Sequence, residues 1–469
     1  MANLRLAGLF IGMVVVAVLL AACGGGAQPA PAEAPAADVV VVEQTVVESV
    51  APAAAPTDAT AMLEPLAPVL SFAVVHDSFV ELFRDDGVRA AVVDTAGPAT
   101  VQFAGDRAAV VDARQVRLFA SNGGQSGQGM PVSPSSSVAF GKDRVAISHD
   151  TYVAVYNASG QALFNIDTPL PVQVDLVDDL LALTGTGWTG VFHLDGRPLL
   201  NLETSGQAGV HVVDGSIVLV DDATVRFFAA DGRQAGATVD RLDPTRVFLV
   251  GNRVVVSRPG WAEFFSPNGD PVARIVTAGL AAAAPVDGLI CLRDDGAIKL
   301  LDAHGSQVAA ALPEPADAEV LCTGDRLIVV HDDWVGVYSR SGESLANIAT
   351  SGRGRLALEA DRLILADNEL IRLLSLDGQP VAEAIRLPGA QIQVVDGRLI
   401  AMVDGQAATF DLNGAPQATM VTSGTPTVLP LASGLLVVDR AQVRLVSPSG
   451  ETWMNVAALD SSTKVISRE

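Results

Sequence analysis

Aromatic side chains are scarce in this chain: 5% of 469 residues, with four tryptophans and three tyrosines. A core built from large rings is therefore excluded. The apolar content, 49%, rests on Ala, Val and Leu, which suits many thin strands with small packing residues. Positive charge is also short. Lys plus Arg number 30 against 53 Asp plus Glu, a formal net charge of -23. Nucleic acid is excluded as a partner, because phosphate contacts need Lys and Arg. A polyanion suits solubility, a cationic ligand or bound cations. Helical periodicity is absent throughout. Zinc-ligand spacing and a D-x-D-x-D-G calcium loop are also missing. Only three cysteines are present, Cys23, Cys291 and Cys322.

What the chain does have starts at its N-terminus. Residues 1–22 hold one basic residue, Arg5, then an apolar core too short for a safe spanning helix. The segment has signal-peptide form. It ends Leu20-Ala21-Ala22-Cys23, which resembles a bacterial lipobox. The resemblance implies cleavage before Cys23 and a diacylglycerol on its sulfur. The mature chain is then expected to be extracytoplasmic and tied to a membrane. Residues 23–61, rich in Ala, Pro and Gly, read as a tether. Within it, 39–50 (VVVVEQTVVESV) reads as linker with local structure, or as a strand that joins the fold.

From 62 to 462 the chain repeats. Residues 325–348 (DRLIVVHDDWVGVYSRSGESLANI) show the unit: short strands separated by Asp- and Gly-rich turns. Aligned on the second turn, glycines recur at Gly87, Gly124, Gly160, Gly196, Gly232, Gly269, Gly305, Gly342, Gly378, Gly414 and Gly450. The step is 36 or 37 residues throughout. Asp-Gly, Asn-Gly and Ser-Gly at this point signal tight hairpins. Each copy predicts an antiparallel meander of four strands, and a radially repeated meander is a β-propeller blade. The predicted fold is an all-β propeller of about eleven blades. One large ring and two tandem rings both fit the spacing. Residues 463–469 read as a C-terminal tail.

The strand–turn–strand segments VAVYNASGQALFNI (153–166) and VRFFAADGRQA (225–235) resemble pyrroloquinoline-quinone-type propeller repeats. NHL- and WD-type repeats are looser relatives in pattern. Repeats of the first family usually carry a docking tryptophan in the strand after the turn, and here only Trp453 stands there. No cofactor is expected.

Three sets of residues recur at fixed phase. The first turn of most copies is acidic: Asp77, Asp112, Asp150, Asp221 with Asp222, Asp294 with Asp295, Asp332 with Asp333, Asp367, Asp404 and Asp439. Of these, Asp77, Asp150, Asp222, Asp295, Asp332 and Asp404 are candidate ligands for Ca²⁺. Plain turn chemistry is the competing reading. Aromatics stand eight residues before the turn glycine: Phe79, Tyr152, Trp188, Trp261 and Trp334. They suit stacking on a glycan or peptide, or packing between blades. His76, His149 and His331 each precede an Asp and then one of these rings. They lie in separate repeats, and no nucleophile accompanies them at fixed phase. Cys291 and Cys322 fall in adjacent copies, as a disulfide or as buried thiols. The function expected is a non-catalytic binding or scaffolding module for protein or glycan ligands at the cell envelope. The alternative is a propeller enzyme of hydrolase, lyase or quinoprotein type.

Overall fold

A computed structural model describes residues 39–41 and 69–468, apart from 287, 314–317, 324–325, 360, 432, 448–449 and 458–462. The signal peptide and Cys23 lie outside the described residues. The fold is all-β, and eleven antiparallel sheets follow one another along the chain. The β-branched and leucine-rich runs form the strands, and Asp and Gly punctuate them. In blade 8, for example, Glu319–Thr323, Arg326–Val330, Trp334–Ser339 and Ser344–Ala349 run from the axis outward.

The array is one ring. Eleven hydrophobic clusters are found among the described residues, and each straddles two neighbouring blades. Leu327 and Val329 of blade 8 pack on Leu289 and Leu300 of blade 7. The last cluster joins Phe72, Val74 and Phe83 of blade 1 to Leu436, Val443 and Leu445 of blade 11. One sheet alone has no second layer to bury its faces, so the interface between blades is the core.

Closure corrects the expected domain limits. Most of the expected tail at 463–469 is a strand. Lys464–Ser467 is the innermost strand of blade 1, antiparallel to Leu70–Val75, with Phe72 opposite Ser467 and Val75 opposite Lys464. Blade 1 thus takes three strands from the start of the array and one from its end. The hydrogen bonds of Leu70–Val75 needed a partner, and an edge left open invites association.

Val39–Val41 pairs in parallel with Val247–Leu249 on the inner edge of blade 6. That part of the tether therefore joins the fold.

The hairpin glycines have the backbone conformation the repeat demanded, with φ between 77° and 88° at Gly87, Gly160 and eight later copies. In blade 2 the residue is Gly123 (φ 81°) rather than Gly124. Its N–H donates to the Ala120 carbonyl, as Gly160 donates to Asn157 in blade 3. The Asn-Gly-Gly run at 122–124 hid which glycine turns.

Candidate ligand-binding face

The turn between the second and third strands, and the loop leading to the next blade, share one face of the ring. Eleven residues before the turn glycine, this face is built in three ways.

In blades 2, 5, 7, 9 and 11 the residue is Asp112, Asp221, Asp294, Asp367 or Asp439. All five are at most 7% exposed. In each, Oδ1 accepts the N–H groups two and three residues on, for instance Glu369 and Leu370 at 2.9 Å for Asp367. The other oxygen meets a cation five residues on: Arg117, Arg226, Lys299, Arg372 or Arg444, at 2.7–3.2 Å. That cation also donates to a backbone carbonyl of the preceding blade, as Arg372 does to Ala349 and Arg444 to Val421. Burial alone would raise the Asp294 and Asp367 carboxyls. The amide donors and, at Asp294, Lys299 outweigh it and hold both below the usual aspartate value.

This lock explains much of the acidic turn. It also carries a second period that the expectation of equal repeats missed. The last four lock aspartates are 73, 73 and 72 residues apart. Each lock ties its blade to the one before, so the ring is five pairs (1–2, 4–5, 6–7, 8–9, 10–11) and a single blade 3. The signal was legible: an Asp followed five residues later by Arg or Lys.

In blades 1, 3 and 8 the residue is histidine, stacked on the ring three residues on. Centroid distances are 4.1 Å for His76–Phe79, 4.5 Å for His149–Tyr152 and 3.7 Å for His331–Trp334. Burial pushes His149 below its usual pKa, against the pull of Asp150. Blade 1 places a carboxylate, Glu81, where the locked blades have their cation. His76 Nε2 lies 3.5 Å from Glu81, which also receives Arg89 at 2.6 Å. Blades 4, 6 and 10 carry Gly185, Arg258 and Val403, with Gly187, Gly260 and Gly405 at positive φ in the turn.

The five candidate aromatics occur only in unlocked blades. All are half-buried. A ring three residues after the lock position stands two residues from the place of the lock cation, and so on the same face of strand three. Trp188 accordingly packs on the cluster shared by blades 3 and 4. Its Nε1 donates to Asn201 Oδ1 at 2.8 Å. Trp334 and Tyr338 close over Gly336, where a Cβ would come within 2.7 Å of both rings. Trp188 thus holds a blade interface with one edge, and all five rings leave part of their surface to solvent.

The candidate calcium ligands Asp77, Asp150, Asp222, Asp295, Asp332 and Asp404 are exposed, one per blade. Among the described residues no three His, Cys, Asp or Glu side chains gather as a metal cluster. Asp150 accepts from Ser135 Oγ at 3.0 Å, which ties the Ser-rich loop of blade 2 to blade 3. Cys291 and Cys322 are free thiols in the core between blades 7 and 8. The hydrogen bond that the Cys322 thiol makes to Cys291, then burial, pushes that thiol far above its usual range.

No protein-family model and no curated protein matches the chain. Many solved structures are similar in shape. BamB from Moraxella catarrhalis is 13% identical, with 59% of this chain and 91% of that one covered and a TM-score of 0.33. A eukaryotic initiation factor is 11% identical, with 76% and 96% covered and a TM-score of 0.44. Apo AztD from Citrobacter koseri is 13% identical, with 77% and 96% covered and a TM-score of 0.37.

Proposed function

We propose that this protein is a non-catalytic binding module, held outside the cytoplasmic membrane by a lipid on Cys23. Its ligand is a glycan, gripped at the face that carries Phe79, Tyr152, Trp188, Trp261 and Trp334. One observation carries the reading. Five half-exposed rings stand at a single phase of a rigid ring, on a chain where rings are only 5% of residues. Rings of this kind offer an apolar face and, for tryptophan, a polar handle. The Leu20-Ala21-Ala22-Cys23 sequence supports the anchor.

The test is glycan binding by the full chain and by a Trp188→Ala/Trp334→Ala double variant, with folding checked by circular dichroism. At least tenfold weaker binding by a folded variant is expected. Equal binding would sink the assignment to this face. Fractionating cells that express Cys23→Ala tests the anchor separately: equal membrane association of variant and wild type would remove it.

A further inference from the structure

Blade 6 departs from the other unlocked blades in a way that specifies charge. At the lock position ten blades hold His, Asp, Gly or Val, and blade 6 alone holds a cation, Arg258. Its guanidinium lies over the Trp261 ring at 4.6 Å. Its Nη2 donates to the Asp240 carbonyl of blade 5. A second guanidinium, Arg274 in the outer strand, lies over the same ring at 4.1 Å. Arg274 is exposed, and although Glu263 stands opposite it in register, the two form no ion pair.

The repeat shows what Arg274 replaces. The equivalent outer-strand position holds Asn201 opposite Gly190 in blade 4, Asn347 opposite Gly336 in blade 8 and Asn165 opposite Ala154 in blade 3. Beside Trp188 and Trp334, then, stands an amide, a partner for hydroxyl groups. Beside Trp261 stands a guanidinium, a fork matched to a carboxylate. The surrounding charge agrees. Residues 226–299 hold nine Lys or Arg against eight Asp or Glu, in a chain of net charge -23. An anion repelled elsewhere is tolerated there.

We propose that Arg258, Trp261 and Arg274 form a carboxylate subsite at the rim between blades 5 and 6, and that the glycan it takes bears uronate units. The inference rests on the glycan-binding reading of this face. Ring–amide pairs in blades 4 and 8 take sugar faces and hydroxyls, and the ring–guanidinium group between them takes the acid. An acidic peptide would use the guanidiniums but has no use for the ring–amide pairs on either side.

Calorimetric titration of the full chain compares three probes: an oligogalacturonate, a neutral malto-oligosaccharide of equal length and a poly-glutamate peptide. The oligogalacturonate is expected to bind tightest. Arg274→Gln should weaken it about tenfold, the loss of one charge-assisted fork, and leave the neutral sugar unchanged. Arg398→Gln, at the opposite end of the strands, should change nothing. Circular dichroism confirms that each variant folds. Equal affinity for charged and neutral sugars, unmoved by Arg274→Gln, would overturn the carboxylate subsite and leave the glycan face standing. Poly-glutamate binding with the same Arg274 dependence would overturn the uronate assignment. Binding of none of the three would overturn both.

Discussion

Blades 8 and 9 are neighbours of nearly equal length that solve one problem differently. Blade 9 buries an ion pair, Asp367 with Arg372, whose arginine reaches back to the Ala349 carbonyl of blade 8. Blade 8 has Gly336 at the place of that arginine and stacks His331 on Trp334. The outer strands differ too. In blade 8 the last two strands pair over their whole length with a one-residue bulge. In blade 9 the outer strand pairs at Ile385–Arg386 and again only at Pro380. In blade 9 the lock goes with an irregular rim, but the two are separable: blade 11 has the Asp439–Arg444 lock and an outer strand paired as regularly as that of blade 8. Within pairs the lock adds a buried carboxylate with its cation; between pairs, packing is joined by hydrogen bonds such as Arg258 to the Asp240 carbonyl and Ser135 to Asp150.

The largest effect should come from breaking a lock. Arg372→Met leaves the Asp367 carboxylate buried with only amide donors and the Ser351 hydroxyl. Loss of one partner from a buried pair costs about 3–5 kcal/mol. Hydrogen exchange should show protection lost in blades 8 and 9, residues 319–386, with blade 10 spared. Equal loss in blade 10 would dissolve the pairwise reading.

Next come the turn glycines, where the seam differs from copy to copy. At Gly378, φ is 77° and an added Cβ would sit 2.5 Å from the Ala346 side chain of blade 8. At Gly342, φ is 85° but the nearest neighbour is the Ala310 carbonyl at 3.4 Å. Both pay for positive φ, roughly 1 kcal/mol. Only Gly378→Ala adds overpacking, about 1–3 kcal/mol more. Urea midpoints of the two variants measure the difference, and equal midpoints would refute it.

Acid separates a buried histidine from the lock carboxylates by window. Burial pushes His211, on the inner strand of blade 5, down from 6.5 to about 4. The unfolded chain takes that proton below 6.5 and the fold refuses it until about 4. Stability is therefore intact above 6.5 and is lost as pH falls toward 4, by roughly 2–3 kcal/mol. The lock carboxylates Asp294 and Asp367 are depressed. Their contribution is present above the usual aspartate value and fades only below it. Melting temperatures from pH 7.5 to 4.5 should fall less in His211→Val than in wild type. Parallel curves would remove His211 from the account.

The smallest effect should be at an exposed pair. Arg197 and Asp195 meet at 2.7 Å but are 73% and 55% exposed. Arg197→Ala should leave the urea midpoint almost unchanged, since solvent screens an exposed pair. A loss matching that of Arg372→Met would mean that burial is not what gives the lock its strength.

The fold was largely legible because hairpins with Asp, Asn and Gly at fixed phase leave few architectures. Whether the eleven copies form one ring or two was not, since the deciding contact joins Phe72 to Ser467 and no local pattern announces a pairing so distant. Lys464–Ser467 is four residues without its own hairpin and passes for a tail. The acidic turns were seen but read alike, although Asp112 and Asp77 differ completely in burial. The five-residue offset to Arg117 was the missing clue. The aromatics were found at once, since rings are rare here and their phase is constant. Why blade 6 stands apart became readable only when register placed Arg274 where other blades hold asparagine.

The closing strand also sets an order of events during synthesis. Blades 2 to 11 each contain their own inner strand and can be complete once their own residues have emerged. Blade 1 emerges first and is finished last, when residue 467 appears. Until then Leu70–Val75 has a bare edge, and the half-core of Phe72 and Phe83 waits for blade 11. Contacts so far apart in sequence form slowly. A chain that stops after blade 11 would hold ten finished blades and still be an open arc. For that interval the nascent protein is a sticky crescent, and a chaperone or a second copy of the chain would find it at blade 1.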